Sequence, residues 1–364
     1  MAGPPAMTER PLRVLVLADS RAFHTERYAA ELERQGCEVL TASLESGAMP
    51  HHALRRRGPI KALHYALGAS EVRALFRRSR PDIVNPHFAS GYGFLAALAD
   101  RRSSLPIVLQ LWGSDILIGP HKSVFHRHKT KLALESADCV LADSDFILEE
   151  ASKIGKLRDS RTIAWGIERN YLVYRRANMS LSRPLRILAP RPHEEVYNNM
   201  FIIRALADLC NSGEVTLTFP NFGGLLMRFK DEAAHRVSRG VAFYEKLPRP
   251  EYLEFVAGHD VYLSAAISDS SPASLLEAMG LGLIPVIGDI PGVREWVTKD
   301  SGFLFDLSDV QSLSSVISRI LTADQDFEKM RLRNAEMIEQ RGIFENNIAE
   351  TINVFREVIA RRSA

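Results

Sequence analysis

Two carboxylates, Asp269 and Glu277, are separated by seven residues, and from Ser271 to Glu295 the chain reads SPASLLEAMGLGLIPVIGDIPGVRE. Ser271 is a good N-cap, because its hydroxyl can accept from the free N–H groups of a first helical turn, and Pro272 then falls at the first helical position. A helix is therefore expected to begin here, with Glu277 nearly two turns inside it. The free amides and positive dipole end of such a start suit an anion, phosphate above all. Glu277 is too deep to serve the cap, and a carboxylate beside a phosphate site suits vicinal hydroxyls such as those of a ribose. The pattern reads as a nucleoside diphosphate held around Ser270, Ser271, Ala273 and Ser274, carrying a sugar that reaches back to Asp269. The plainer alternative is a capped amphipathic helix with Leu275, Leu276 and Met279 turned inward. It accounts for Ser271 but for neither carboxylate.

Other candidates come from the rule that open α/β sheets bind ligands beyond the carboxyl ends of their strands. Arg191 follows the run PLRILAP, and its guanidinium suits a pyrophosphate, with Asn198 as a further polar group. In the first half of the chain, His24, His87 and Asp115 each follow a strand-like run and are expected to converge as catalytic candidates. Each has a structural alternative: a packed histidine in two cases, a turn cap for Asp115. His121, His126 and His128 have no fourth ligand at zinc spacing, and with Lys122, Arg127 and Lys129 they read as a basic loop. GYGFLA (Gly91 to Ala96) matches a dinucleotide fingerprint weakly, since it does not follow the first strand. Asp143-Ser-Asp145 resembles a metal-binding DxD but is better placed to cap the helix after it.

The elements that hold these residues alternate. RVLVLAD, a helix over Thr25 to Gln35, a strand near Glu38–Thr41, PDIVNPHF, a helix at GYGFLAALAD, LPIVLQLWGSD and ADCVLADS follow one another in the first half. PLRILAP, a helix near 199–210, VTLTFP, GVAFYEKL, DVYLSAAI and IPVIG follow in the second. This is the βα grammar of parallel, doubly wound sheets. A length of 364 residues suits two such domains, with AWGIERNYLVYRRANMSLSRP as an irregular linker. Charged residues make up 25% and hydrophobic ones 46%, the three cysteines are unclustered, and no run reaches the roughly 20 apolar residues of a membrane span. MAGPPAMTERP lacks the apolar centre of a signal peptide, so a cytoplasmic protein is expected. The net charge of +2 divides unevenly, with +5 on residues 1–166 and −3 on the rest. Residues 51–80 carry Arg55, Arg56, Arg57, Lys61, Arg73, Arg77, Arg78 and Arg80 against Glu71 alone. This stretch reads either as contact with anionic lipid or as a solvated helix face with Leu63, Leu67, Val72 and Leu75 inward. No nucleic-acid recognition motif accompanies the charge.

The stretch from Asp269 to Glu295 resembles the donor-site signature of retaining GT-B glycosyltransferases of the family-4 type (glycosyl transferases group 1). That signature is Glu, seven residues, Glu-Ala-Met, Gly-x-Pro-Val and a Gly-x-x-Glu turn. The resemblance implies two Rossmann-like domains facing a cleft: an acceptor-side domain over 1–166, onto which the last helix (346–364) packs back, and a donor domain over 167–345. It implies that Glu277 holds the ribose, that the loop and helix start bind the diphosphate, and that Asp269 touches the transferred sugar. Trp112, Gly113, Ser114 and Asp115 fall on the acceptor side, with Lys122 in the basic loop at its mouth. The departing phosphate would take the acceptor proton, so no protein base is essential, and no metal or other cofactor is expected to be required. The chain departs from the pattern at Asp269 (usually Glu), Pro272 (usually Gly), Val196 (usually Lys) and Trp112 (often His). The expected function is transfer from a nucleotide-diphosphate sugar to a saccharide or lipid-linked acceptor in surface polysaccharide synthesis, at the inner membrane face. The alternatives are a sugar-nucleotide epimerase of the same fold and a non-catalytic sugar-nucleotide binder.

Overall fold

The computed structural model describes residues 10–54, 61–100, 104–176, 180–322 and 327–363. The chain divides into two compact units. One runs to Ile163 and takes back the chain from Glu345; the other is Ala164–Phe344.

In the first unit the apolar runs become β1 (Arg13–Leu17), β2 (Glu38–Ser43), β3 (His52–Ala53), β4 (Ile83–Pro86), β5 (Val108–Gln110), β6 (Cys139–Ala142) and β7 (Ser160–Thr162). All pair in parallel, as β3-β2-β1-β4 and β5-β6-β7, and the bridges Val84–Ile107 and His87–Gln110 join β4 to β5. Val14, Leu15, Val16 and Leu17 are all buried. Such unbroken burial is what a parallel strand covered on both faces requires, and it is why the sequence shows a continuous apolar run rather than alternation. Strand order reverses between β1 and β4. The final helix, Phe344–Ser363, is tied to this unit from Glu345 onward. Gln35 donates to the Glu345 carbonyl at 2.8 Å, Arg362 reaches Asp138 at 2.8 Å and Arg361 reaches Asp159 at 2.8 Å.

The second unit holds β8 (Leu185–Leu188), β9 (Val215–Pro220), β10 (Val241–Tyr244), β11 (Val261–Ser264), β12 (Ile284–Gly288) and β13 (Phe303–Phe305). They form one parallel sheet in the order β10-β9-β8-β11-β12-β13, which reverses between β8 and β11. The fold is thus mixed α/β, with two Rossmann-like parallel-sheet units. The linker stretch belongs to the second unit, where Ile167 bridges Ile343 and Arg169–Tyr174 forms a 3-10 turn.

Several local expectations are corrected. Phe88–Gly93 is π-helical and only Phe94–Ala99 is α-helical, so the helix expected over GYGFLAALAD starts at Phe94 and is preceded by π-helical backbone rather than by a glycine turn. The basic segment after Lys122 is not a loop. Val124–Ser136 is a helix capped by Ser123, whose Oγ accepts the His126 N–H at 3.2 Å. Lys129 is buried inside that segment and donates to the Ser90 carbonyl at 2.9 Å, because a charged tip can leave water only with a polar partner. Ser144 caps the helix Asp145–Ser152, as the capping reading of Asp143-Ser-Asp145 requires. Within the basic stretch 51–80, Arg55, Arg56 and Arg57 lie outside the described residues. Val72 and Leu75 are buried, and Arg73 donates to the carbonyls of Leu98 and Ala99. Among the described residues no helix is long and apolar enough to cross a membrane.

Candidate functional site

The reversal between β8 and β11 opens a crevice at the carboxyl ends of those strands, the place where doubly wound sheets take ligands. Arg191 leaves β8, and Asp269 leaves β11. Their side chains meet there as an ion pair at 2.8 Å, with both less than a fifth exposed. The same guanidinium donates to Ser274 Oγ at 3.3 Å and lies 4.1 Å over the Tyr197 ring. Ser274 Oγ also meets the Tyr262 hydroxyl at 2.9 Å. Burial pushes the Asp269 carboxyl above its ordinary pKa, and Arg191 opposes that rise. Burial likewise pushes the Tyr262 phenol up to about 12, so it stays a neutral hydroxyl. Asn198 turns the chain at φ 50° to start the helix Asn199–Ser212, a left-handed conformation that asparagine tolerates.

The helix after Asp269 begins one residue later than expected. It spans Ala273–Leu281, and Pro272 is its N-cap residue, with the Pro272 carbonyl accepting from Leu275 and Leu276. Ser271 turns elsewhere: its Oγ accepts the Trp296 indole N–H at 2.8 Å. A fully buried indole must place its only donor on an oxygen. The N–H groups of Ala273 and Ser274, as the first helical residues, have no partner inside the helix. Leu275, Leu276 and Met279 are wholly buried as expected, while Ala273, Ser274 and Glu277 form the half-buried face. Burial of each large apolar side chain contributes roughly 1.5–3 kcal/mol to seating that face outward. Gly292 seats the loop from the other side. A Cβ there would lie 2.5 Å from the Asp269 carbonyl oxygen, so only glycine lets the turn approach.

Glu277 is ion-paired through Oε1 with Arg249, the first residue of the helix Arg249–Ala257. The Arg249 guanidinium also lies 4.3 Å over the Tyr171 ring and 5.4 Å over the Tyr252 ring. Neither Arg249 nor the hydroxyl of Tyr262 was legible as a site residue: Arg249 lies on another helix, 28 residues before Glu277, and Tyr262 stands inside the buried run of β11. A signal was present for Tyr197, which directly precedes Asn198 in the turn that follows Arg191.

In the first unit, His24, His87 and Asp115 follow β1, β4 and β5, and they do converge, around Trp112. Trp112 lies 5.5 Å from the His24 ring, 5.6 Å from His87 and 5.7 Å from Phe88, with which it is stacked. Their circumstances differ from those in the second unit. Asp115 is buried and accepts from backbone N–H groups, Ala89 at 2.7 Å and Trp112 at 3.0 Å. Burial raises its pKa, and those N–H groups oppose the rise. His87 is buried and burial pushes its pKa down to about 3. Asn85 donates to the Val108 carbonyl at 2.7 Å, which leaves its Oδ1 facing His87 Nε2 at 3.1 Å. That network assigns the proton to Nε2 and leaves Nδ1 as an acceptor. The packing around His24, followed by Arg27, holds its pKa below the usual histidine range.

Gly113 has φ 83° and ψ −62°, and Ser114 N–H reaches back to the Trp112 carbonyl at 3.1 Å. This tight γ-turn is open to glycine and strained for other residues. Phe88 carries φ 64°, a left-handed value that costs a bulky residue roughly 1–3 kcal/mol and clusters at functional sites. Ser114 and Lys122 are exposed and do not belong to the buried part of this cluster.

Comparison with known proteins places both halves. The family description "Glycosyl transferase 4-like" matches residues 13–144 and "Glycosyl transferases group 1" matches 194–337, together about three quarters of the chain. A relative in Bacillus subtilis (strain 168), TuaC, named as a putative glycosyltransferase of teichuronic acid biosynthesis, is 23% identical over 266 residues. The match covers 70% of this chain and 66% of TuaC, just under two thirds of that protein. Among solved structures, a glycosyltransferase from Rickettsia africae superimposes with a TM-score of 0.80 at 14% identity, covering 96% of this chain and 99% of its own. HepE of Anabaena in complex with UDP gives 0.78 at 18% identity, covering 94% and 100%, and its complex with UDP-glucose gives 0.75 at 19% identity, covering 94% and 99%. The chain belongs to the group 1 glycosyltransferases of GT-B fold.

Proposed function

We propose that the chain transfers a sugar, with retention of anomeric configuration, from a nucleotide-diphosphate sugar to a saccharide or lipid-linked acceptor in surface polysaccharide synthesis. The observation that carries this reading is Arg191 reaching both Asp269 and Ser274 at the β8/β11 reversal, beside the start of the helix Ala273–Leu281. A diphosphate there meets a guanidinium and the first amides of a helix, while Glu277 accepts ribose hydroxyls and Asp269 meets the sugar. In transfer, the bond between the anomeric carbon and the diphosphate oxygen breaks, the acceptor oxygen bonds to that carbon, and its proton passes to the departing phosphate. Stabilising the growing diphosphate charge is the main catalytic contribution, and such preorganised donors typically lower barriers most. Arg191 and the helix start supply that positive charge, so the reading assigns no role to a metal or other cofactor.

The nucleotide donor is supported by HepE, of the same fold, whose structures hold UDP and UDP-glucose. The polysaccharide setting is supported by the name of TuaC. On the first unit, His24, His87, Trp112, Gly113, Ser114 and Asp115 are assigned to the acceptor. Val124 and Phe125, 87% and 54% exposed beside Lys122 and Arg127, are assigned to peripheral contact with an anionic membrane at the cytoplasmic face. Sedimentation with vesicles should then rise with their anionic lipid content, and indifference to it would remove that assignment.

The test is a thermal-shift screen of nucleotide-diphosphate sugars, since ligand bound to the folded state raises stability with the logarithm of its concentration over Kd. The hit is then incubated with saccharide acceptors. Stabilisation followed by transfer supports the reading. Isomerisation of the donor without acceptor would identify an epimerase, and binding with neither transfer nor slow hydrolysis a binder alone.

A further inference from the structure

We infer that Arg249 is the positioning residue for Glu277: it fixes the ionised carboxylate in the orientation in which it accepts the donor's ribose hydroxyls. The inference rests on the ribose reading of Glu277 given above. It comes from Arg249, Tyr171 and Tyr252 in the second unit, to which no donor role has been assigned.

Arg249 opens the helix Arg249–Ala257, with Pro248 as its N-cap residue. Its guanidinium takes Glu277 Oε1 and is held by two rings, Tyr171 at 4.3 Å and Tyr252 at 5.4 Å. Tyr171 is itself anchored, donating from its hydroxyl to Glu168 Oε1 at 3.1 Å. The pair is recessed on the acid side: the Glu277 side chain is 12% exposed and that of Arg249 39%. A carboxylate so placed gives up most of its water, and it stays ionised and oriented only if a cation and fixed donors replace that water. The planar arginine fork does this directionally, where a lysine would act as a point charge. A carboxylate has about four acceptor positions, and the guanidinium engages it through Oε1. The arginine is exposed enough to shift with a ligand, yet its two ring contacts keep it over the acid.

The alternative is a plug, with Arg249 occupying the place of the ribose and having to leave it. The two make opposite predictions. UDP, GDP and ADP are titrated calorimetrically into the whole protein, and the tightest is compared with its 2′,3′-dideoxy analogue. In Arg249→Met, affinity for the nucleotide should fall about tenfold, the scale of one charge-assisted contact. Affinity for the dideoxy analogue should stay unchanged. In a Glu277→Gln background the same substitution should add nothing, and Arg249→Lys should restore part of the loss. With donor sugar and acceptor, KM for the donor should rise while kcat holds.

Tighter binding by Arg249→Met would establish the plug and overturn the inference. Equal losses for both ligands would overturn it too, by making Arg249 a contact for phosphate or fold. If Arg249→Met is poorly folded, Arg249→Lys decides, because full affinity in that variant would show that the fork is not needed. If the wild type binds no nucleotide, or binds the dideoxy form equally, the ribose reading itself falls. If it prefers the ribose form and Arg249→Met does likewise, only this inference falls.

Discussion

The two strand-order reversals carry similar chemical groups under different constraint. At the β1/β4 reversal, Asp115 is bound by the backbone N–H groups of Ala89 and Trp112, and His87 is buried beside Tyr28 and Trp112. At the β8/β11 reversal, Asp269 and Glu277 are each bound by an arginine side chain, Arg191 and Arg249. A side-chain partner can rotate to admit a ligand and return; a backbone partner can move only if the loop does. Buried charge held by backbone shapes a pocket, whereas buried charge held by arginine can adjust together with its partner. The first reversal is therefore held by backbone around Trp112, and the second by side-chain ion pairs.

The sharpest way to break this contrast is at Arg191. In Arg191→Ala the transfer rate should fall roughly 10²–10³-fold, the scale of losing one preorganised charge-stabilising group. Arg191→Lys should recover part of it, and steady-state kinetics would show both. A loss confined to thermal stability would mean that Arg191 only balances Asp269.

Asp115→Asn should behave in the opposite way. Replacing a buried acceptor of two backbone N–H groups should cost about 1–3 kcal/mol of stability, read by denaturant unfolding. Nucleotide affinity should be unchanged, because the site proposed for the nucleotide is in the other unit. A catalytic loss without destabilisation would show that Asp115 acts on substrate.

The smallest effect concerns His87. Its folded pKa, about 3, lies below its ordinary 6.5, so the unfolded chain takes up this proton first. The stabilisation from keeping His87 neutral is complete above pH 6.5 and is lost as pH falls towards about 3. In His87→Phe, the decline of stability across that window should be shallower than in the wild type. Parallel curves would mean that His87 is not held neutral by its surroundings.

Much of this was legible from local pattern. The apolar runs around Val14–Leu17 and Ile284–Gly288 declared buried parallel strands, and the spacing of Asp269 and Glu277 with the buried trio Leu275, Leu276 and Met279 fixed which face of the helix stays open. What failed depended on partners distant in sequence. Ser271 has the chemistry of a cap, yet Trp296 claims its hydroxyl, and the Pro272 carbonyl takes the first helical bonds. Lys129 looks like surface charge, but the Ser90 carbonyl lets it be buried. Arg249 sits 28 residues before Glu277, on another helix, and no periodicity links them. The glycine of the PGVRE turn was visible, but its reason, the backbone of Asp269 lying against it, was not.

The central claim is that the acidic and basic side chains at the β8/β11 reversal bind a nucleotide diphosphate, with Glu277 on its ribose. Calorimetric titration of the tightest-binding nucleoside diphosphate into the wild type and Glu277→Ala tests it most directly. Affinity should fall about 10–100-fold in the variant, the range for lost hydrogen bonds to a charged group, with Asp115→Asn matching the wild type. Equal affinity in wild type and Glu277→Ala would contradict the account.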